Sequence, residues 1–301
     1  MRLQIREFAT NPASEEGTMD KIKNFFRLSW RNPQMRVGLI LLCILIFLAV
    51  FGPALAPYDP KALTGDLLVA PGEKGYVLGT DGLGRDLLSE ILYGTRTSLE
   101  IGFIAAMISA VIGTTVGGIA GYYGGVVDKI LNEVMNIFLM IPSFFLILLI
   151  VAIFGSSMIN VMIVIGLTSW VGNARLMRAQ AISLKNRTFI LSAQATGESK
   201  SSILWKHIIP NGIFPIIANT TMNISGAILS EAGLAFIGLG DPNVISWGQI
   251  INAGKTYLPK SWWITTFSGI MVVFTVLTFY LIGDGLTKIL SPKMDAANNN
   301  K

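Results

Sequence analysis

The sequence predicts an all-α protein that crosses a membrane several times. Three observations predict it. Of 301 residues, 52% are hydrophobic and only 14% are charged, whereas a soluble chain carries about 25% charged residues. Charge is missing from long stretches, the longest being the 41 residues from Val134 to Ala174. About 20 apolar residues already span a bilayer as a helix. The basic residues gather at the ends of these stretches, so the net charge of +5 reads as an orientation signal. No stretch interleaves basic and aromatic residues as a nucleic-acid surface would, and nucleic acid is not an expected partner. The single cysteine, Cys43, lies inside an apolar run. It has no partner for an internal disulfide and is expected to be a small packing residue.

The elements follow in order. Residues 1–36 are polar and form a cytoplasmic N-terminal segment. Span one covers about 37–56. Ala54-Leu55-Ala56 imitates a signal-peptidase site, but the apolar run is too long and begins too late, so it is an uncleaved anchor. An outer loop occupies 57–98, with turn signals at Asp59-Pro60, Pro71-Gly72 and Asp81-Gly82. Span two covers about 99–121. Gly113, Gly117, Gly121 and Gly125 recur every fourth residue there, a smooth helix face that lets another helix approach closely. The 41 uncharged residues are too many for one helix. Gly155-Ser156-Ser157 divides them into span three, about 134–154 with Pro142 as a tolerated kink, and span four, about 158–174, ended by Arg175 and Arg178. A polar loop of 175–211 precedes span five, about 212–231, with Glu231 at its end. Span six is about 262–284, with Trp262 and Trp263 at the membrane interface. Residues 291–301 are a short, frayed cytoplasmic tail, so the six-span domain covers 37–290.

Six spans put both termini on one side. That side carries 17 of the 23 Lys and Arg residues and the other carries six. By the positive-inside rule the termini and the 175–211 loop face the cytoplasm.

Nothing in the sequence composes a catalytic site. His207 is the sole histidine, so neither a histidine-based triad nor a zinc cluster can be built. No metal site or cofactor is expected. Ionisable residues deep in the spans mark proton pumps and secondary carriers. Here the nearest are Glu100 and Glu231, both at span ends and expected to be interfacial carboxylates. Gly254-Lys255-Thr256 imitates a phosphate-binding loop, but Gln249 stands where its first glycine is required. The chain is therefore not expected to bind ATP.

The polar loop is the most informative stretch. In Leu191–Asn211, Ser192, Ala193 and Ala195 are small enough for a tight helix–helix contact. Gly197 permits a sharp reversal. Glu198, Ser199 and Lys200 form the tip. Ser201 to Ile208 reads as a short helix with Ile203, Leu204, His207 and Ile208 on one face, stopped by Pro210.

This stretch resembles the EAA loop of ABC importer permeases, with the pattern E-A-A-x3-G-x9-I-x-L-P. Aligned on Gly197, Leu191 stands at the acidic position, Ser192 and Ala193 at the alanines, His207 and Ile209 at the aliphatic positions, and Pro210 at the proline. Leu78 to Asp86 with Tyr93 to Leu99, Glu231 to Pro242 with Ser246-Trp247-Gly248, and Ala56 to Pro60 are similar to stretches of dipeptide and oligopeptide permeases. Over about residues 30–292 the chain resembles the second permease subunit of those importers. The resemblance implies a heterodimer with a homologous permease, two ATPase subunits on the cytoplasmic face, an extracytoplasmic substrate-binding protein, and a prokaryotic cell membrane around the pair. It implies that the loop, through Ser192, Ala193, Gly197, Glu198, Ser199, Lys200 and Pro210, docks on an ATPase subunit and transmits its motion. The expected cargo is di- and oligopeptides. Nickel or metal chelates and oligosaccharides are alternatives within the same machinery. A stand-alone channel or carrier is the alternative class.

Overall fold

The structure is a computed structural model, and it describes residues 27, 29–63 and 66–290. The expected C-terminal tail and most of the expected N-terminal segment lie outside the described residues. Among the described residues there are helices and no strands, apart from one isolated bridge between Thr80 and Asp86. α1 is Pro33–Leu55, α2 Leu87–Tyr123, α3 Gly125–Met140, α4 Ser143–Phe154, α5 Met158–Thr168 and α6 Trp170–Leu184. α7 is Thr188–Ala195, α8 Lys200–Gly212, α9 Phe214–Phe236, α10 Trp247–Lys255 and α11 Trp262–Leu290. Four helical stretches are long and apolar enough to cross a membrane: α1, α2, the joined α5–α6, and α11. Two bent pairs, α3–α4 and α8–α9, would raise the number to six if each is one span.

Local chemistry sets the boundaries. Asn32 caps α1 by accepting from the Gln34 and Met35 amides at 3.0 and 3.2 Å, with Pro33 in the first turn. Asp86 caps α2 by accepting from the Ser89 amide at 2.8 Å. α2 then runs 37 residues, about 55 Å at 1.5 Å per residue, which exceeds the ~30 Å hydrocarbon core. It stops at Gly124, whose φ of +68° suits glycine.

Several expected boundaries are corrected. α2 begins at Leu87, ahead of the expected start of span two near 99, because the Asp86 cap starts the helix within the outer loop. Pro142 is not a tolerated kink. α3 and α4 meet at 84°, because proline has no N–H to donate and forces the residue before it out of the helical region. Ile141 accordingly sits at φ −96°, ψ 124°. Helix also begins nine residues before 134, at Gly125, carrying Asp128 and Glu133. Arg175 and Arg178 do not end a helix either. α6 continues to Leu184, and Arg178 donates to both Asp128 oxygens, at 2.5 and 2.7 Å, so the charge is matched where it lies.

The repeated glycines pack as follows. Gly113, Gly117 and Gly121 lie where α2 meets α6. A Cβ on Gly113 would come 2.7 Å from the Trp170 carbonyl oxygen, on Gly117 it would overlap the Ala174 carbonyl, and on Gly121 it would come 2.5 Å from the Arg178 carbonyl. The two backbones are in contact, as small residues permit in lipid. Gly125 is off this face. It has φ +57° and open space around it, and serves the turn into α3. An amide pair adds to the packing, with the half-buried Asn219 of α9 donating to the buried Asn173 of α6 at 2.9 Å.

Other single residues depart from expectation. Cys43 is exposed on α1 and packs into no core. Trp262 is exposed, but Trp263 is buried and donates its indole N–H to the Thr80 carbonyl at 3.2 Å. Glu231 is not open to solvent: it is buried within α9 and accepts from the Ser246 hydroxyl at 2.7 Å. Glu100 does lie exposed, paired with Arg96 at 3.1 Å.

Candidate docking loop

The stretch between α6 and α9 builds a small core of its own. Ile190 from α7 and Ile203, Leu204 and Ile208 from α8 are fully buried against Tyr122 of α2 and Met177 and Ala181 of α6. The predicted apolar face of the short helix is therefore the face that anchors the loop. His207, on its margin, is half-buried.

The reversal between α7 and α8 is closed by hydrogen bonds from the backbone itself. Gly197 has φ +80°, a region that costs side chains other than glycine ~1–2 kcal/mol. Its N–H donates to the Gln194 carbonyl at 3.1 Å, and the Glu198 N–H donates to the Ala193 carbonyl at 3.1 Å. This pair of bonds is a Schellman motif, and it satisfies carbonyls that a helix end leaves open. Ser199 then caps α8 by accepting from the Ser202 amide at 3.3 Å.

Glu198 does not project as a free tip. Its Oε1 accepts from the Ser202 hydroxyl at 2.6 Å, and its Oε2 lies 2.9 Å from His207 Nε2. The Ser202 hydrogen bond, followed by the His207 contact, holds the carboxyl below its ordinary pKa. The carboxylate thereby ties the turn to the first two turns of α8.

What remains uncovered is small and polar. Ser192, Ala195, Gly197, Ser199 and Lys200 are exposed, and Leu191 beside them is about half exposed. Ala193 is half-buried against the loop core. No other atom lies within 4 Å of a Cβ built on Gly197. Within this chain, Ser192 and Ala195 therefore form no tight helix contact; their small faces are open.

Pro210 is not the stop. α8 continues through it to Gly212 and bends 63° into α9. Leu204–Ile208 is a π-helical turn, with the Ile209 N–H reaching the Leu204 carbonyl. The wider turn accommodates a proline that can neither donate nor fit against the carbonyl four residues back.

At the far end of α2 the other two signature stretches meet. Trp247 is fully buried, donates its indole N–H to the Ile91 carbonyl at 3.2 Å, and packs on Gly94. Its own amide donates to Ser98 Oγ at 3.2 Å. Ser246 caps α10 and bonds Glu231. Sequence reasoning missed this junction and the Glu198–Ser202–His207 clasp. The spacing of four between Glu198 and Ser202 was the available signal for the clasp. Nothing local signalled the junction, which joins residues about 150 apart.

A bundle of long apolar helices, with a compact helical turn anchored at one end and exposing small residues, has the architecture of a membrane transport component. The comparisons name the family. Residues 113–296 match the model of the binding-protein-dependent transport system inner membrane component, and residues 23–71 match the N-terminal transmembrane domain of oligopeptide transport permease C. The chain belongs to this family of inner-membrane permeases. It is 39% identical over 283 residues to the dipeptide transport system permease protein DppC of Escherichia coli, covering 92% of this chain and 94% of the relative. It is 34% identical over 295 residues to the di/tripeptide transport system permease protein DppC of Pseudomonas aeruginosa, covering 95% and 97%. With the oligopeptide transport system permease protein OppC of Bacillus subtilis it shares 33% over 293 residues, covering 94% and 95%. Its fold is similar to a chain of the methionine ABC transporter MetNI in an inward-facing crystal form, with a TM-score of 0.53 at 17% identity, over 66% of this chain and 95% of that one. As a family member it is the multi-pass membrane component of an ABC importer, and not the enzyme of that system.

Proposed function

We propose that this chain is the second permease subunit of an importer of di- and oligopeptides, paired with a homologous permease and driven by two ATPase subunits. The peptide cargo is carried over from relatives that match nearly the whole chain. In this reading the bent pairs α3–α4 and α8–α9 are spans, giving six, and the N- and C-terminal segments face the cytoplasm with the α7–α8 turn. The positive-inside bias supports that orientation.

The single observation that carries the coupling role is the turn at Gly197. It is closed by its own hydrogen bonds and anchored on α2 and α6, yet Gly197 has open space around it and its neighbours Ser192, Ser199 and Lys200 are exposed. A rigid projection rooted on two long helices transmits a push; a loose one would absorb it. Ser192, Gly197, Ser199 and Lys200 form the contact surface. Ala193, Glu198 and Pro210 shape it, through the core, the clasp and the bend respectively.

Co-purification followed by reconstitution tests the reading. The chain should bring an ATPase subunit and a second permease with it, and proteoliposomes holding the complex and its binding protein should take up peptide only with ATP. Uptake by this chain alone without ATP would make it a stand-alone carrier and refute the proposal.

A further inference from the structure

A cavity of about 180 Å³ lies beside the docking turn, where the ends of α2 and α6 meet α7 and the start of α8. It is smaller than the ~300–1,000 Å³ of small-molecule pockets and suits the head of one side chain. Lys185, Asn186, Gln194 and Lys200 line it, all of them hydrogen-bond donors, and no carboxylate does. Lys185 is half-buried, with its Nζ 3.7 Å from a Cβ built on Gly124, and Lys200 is exposed. Among the described residues neither ammonium group makes a salt bridge or hydrogen bond. The carboxylates of the adjoining segments are engaged. Asp128 takes both its hydrogen bonds from Arg178 and meets Lys185 only through space. Glu198 is closed on Ser202 and His207. Leu191 also lines the cavity. It stands at the acidic position of the EAA pattern, so the carboxylate that the pattern would put on this wall is missing from the chain. Two cations thus share one small cavity with no anion of their own, and an opposite charge brought between them would be attracted by both.

We propose that the cavity seats an aspartate or glutamate side chain of the ATPase subunit, held by the Lys185 and Lys200 ammonium groups. The inference rests on the docking reading and gives it a chemistry: the permease supplies the cations and the ATPase the carboxylate. Leu191 and Lys200 adjoin Ser192 and Ser199 of the exposed docking surface in the chain, so a partner seated on the turn covers the cavity. Asn186 and Gln194 offer further N–H donors to the same carboxylate, and such charge-assisted bonds are the strong ones.

The test is carbodiimide cross-linking of the assembled complex in nanodiscs, read by peptide mass spectrometry. Carbodiimide activates a carboxyl group, which then forms an amide with an amine in contact with it. A cross-link is expected from Lys185 or Lys200 to an aspartate or glutamate of an ATPase subunit. The double variant Lys185→Gln/Lys200→Gln should release its ATPase subunits about tenfold faster or more than wild type at low salt, as the loss of an interfacial charge pair requires, and the gap should narrow as KCl rises. Lys185→Arg/Lys200→Arg keeps both charges, so it should hold the ATPase as wild type does while giving no cross-link at these positions. If the glutamine variant does not assemble, the wild-type cross-link and the arginine variant decide. The proposal is overturned by the absence of any cross-link from these lysines to the ATPase, or by wild-type release from the glutamine variant at low salt. An acidic phospholipid that co-purifies with wild type and not with the glutamine variant, with ATPase release unchanged, overturns it as well. Hydrogen exchange separates the two readings. Protection of residues 191–200 by the ATPase without a cross-link sinks this site alone. A cross-link from Lys185 with residues 191–200 unprotected sinks the docking role of the Gly197 turn alone.

Discussion

Replacing Gly197 tests whether a rigid turn, and not merely a loop, couples this chain to its ATPase. The residue sits at φ +80° with open space around it, so its cost on substitution is a backbone cost free of steric clash. Alanine at a left-handed position costs ~1–2 kcal/mol, and a perturbation of that size shifts a local equilibrium about 5–30-fold. Proline does more. It cannot reach positive φ, and it removes the N–H that donates to Gln194. Asparagine tolerates the left-handed region and should sit closest to wild type. The order of substrate-stimulated ATPase activity and of uptake in the reconstituted complex is therefore glycine, asparagine, alanine, proline. Because the turn lies outside the loop core of Ile190, Ile203, Leu204 and Ile208, the thermal stability of the complex should barely follow that order. Wild-type uptake and wild-type ATPase stimulation in Gly197→Pro would refute the coupling role.

Three further outcomes are expected. Gly117→Ala should lower the thermal midpoint of the purified protein by an overpacking cost of about 1–3 kcal/mol, since the new methyl would overlap the Ala174 carbonyl. Gly118→Ala, whose methyl would sit 3.4 Å from Ile209, should be near neutral, and equal effects would contradict the backbone contact. Trp247→Ala removes a fully buried side chain and should destabilise by about 3–5 kcal/mol, read as loss of folded protein by size-exclusion profile; a wild-type profile and midpoint would contradict its place in the core. The Glu198 carboxyl is held below its ordinary pKa, so the clasp contributes fully above the unfolded carboxyl's pKa and is lost as pH falls through the lower folded one. Hydrogen exchange over residues 191–211 should therefore be slower in wild type than in Glu198→Gln at neutral pH, and the two should converge in acid. A gap that widens as pH falls would reverse the sign and refute it.

The sequence by itself determined the helical membrane class, because charge-free runs of bilayer length have few other uses. It also located the turn at Gly197 and the anchoring face of Ile203, Leu204 and Ile208, since positive φ and helical periodicity are local properties. The family was legible for the same reason: its signatures are contiguous stretches. The tertiary structure decided what local rules could not. Pro142 breaks a helix where a kink was expected, and Pro210 is carried through by a π turn where a stop was expected. A proline removes one donor in either case, and whether the chain bends sharply or widens depends on what packs around it. Arg178 continues a helix that charge alone appeared to end, because Asp128 reaches it from α3. The burial of Glu231 and the junction of Trp247 with the Ile91 carbonyl, 156 residues away in the chain, became visible only in the assembled fold, since burial belongs to the assembled neighbourhood and not to any stretch of chain.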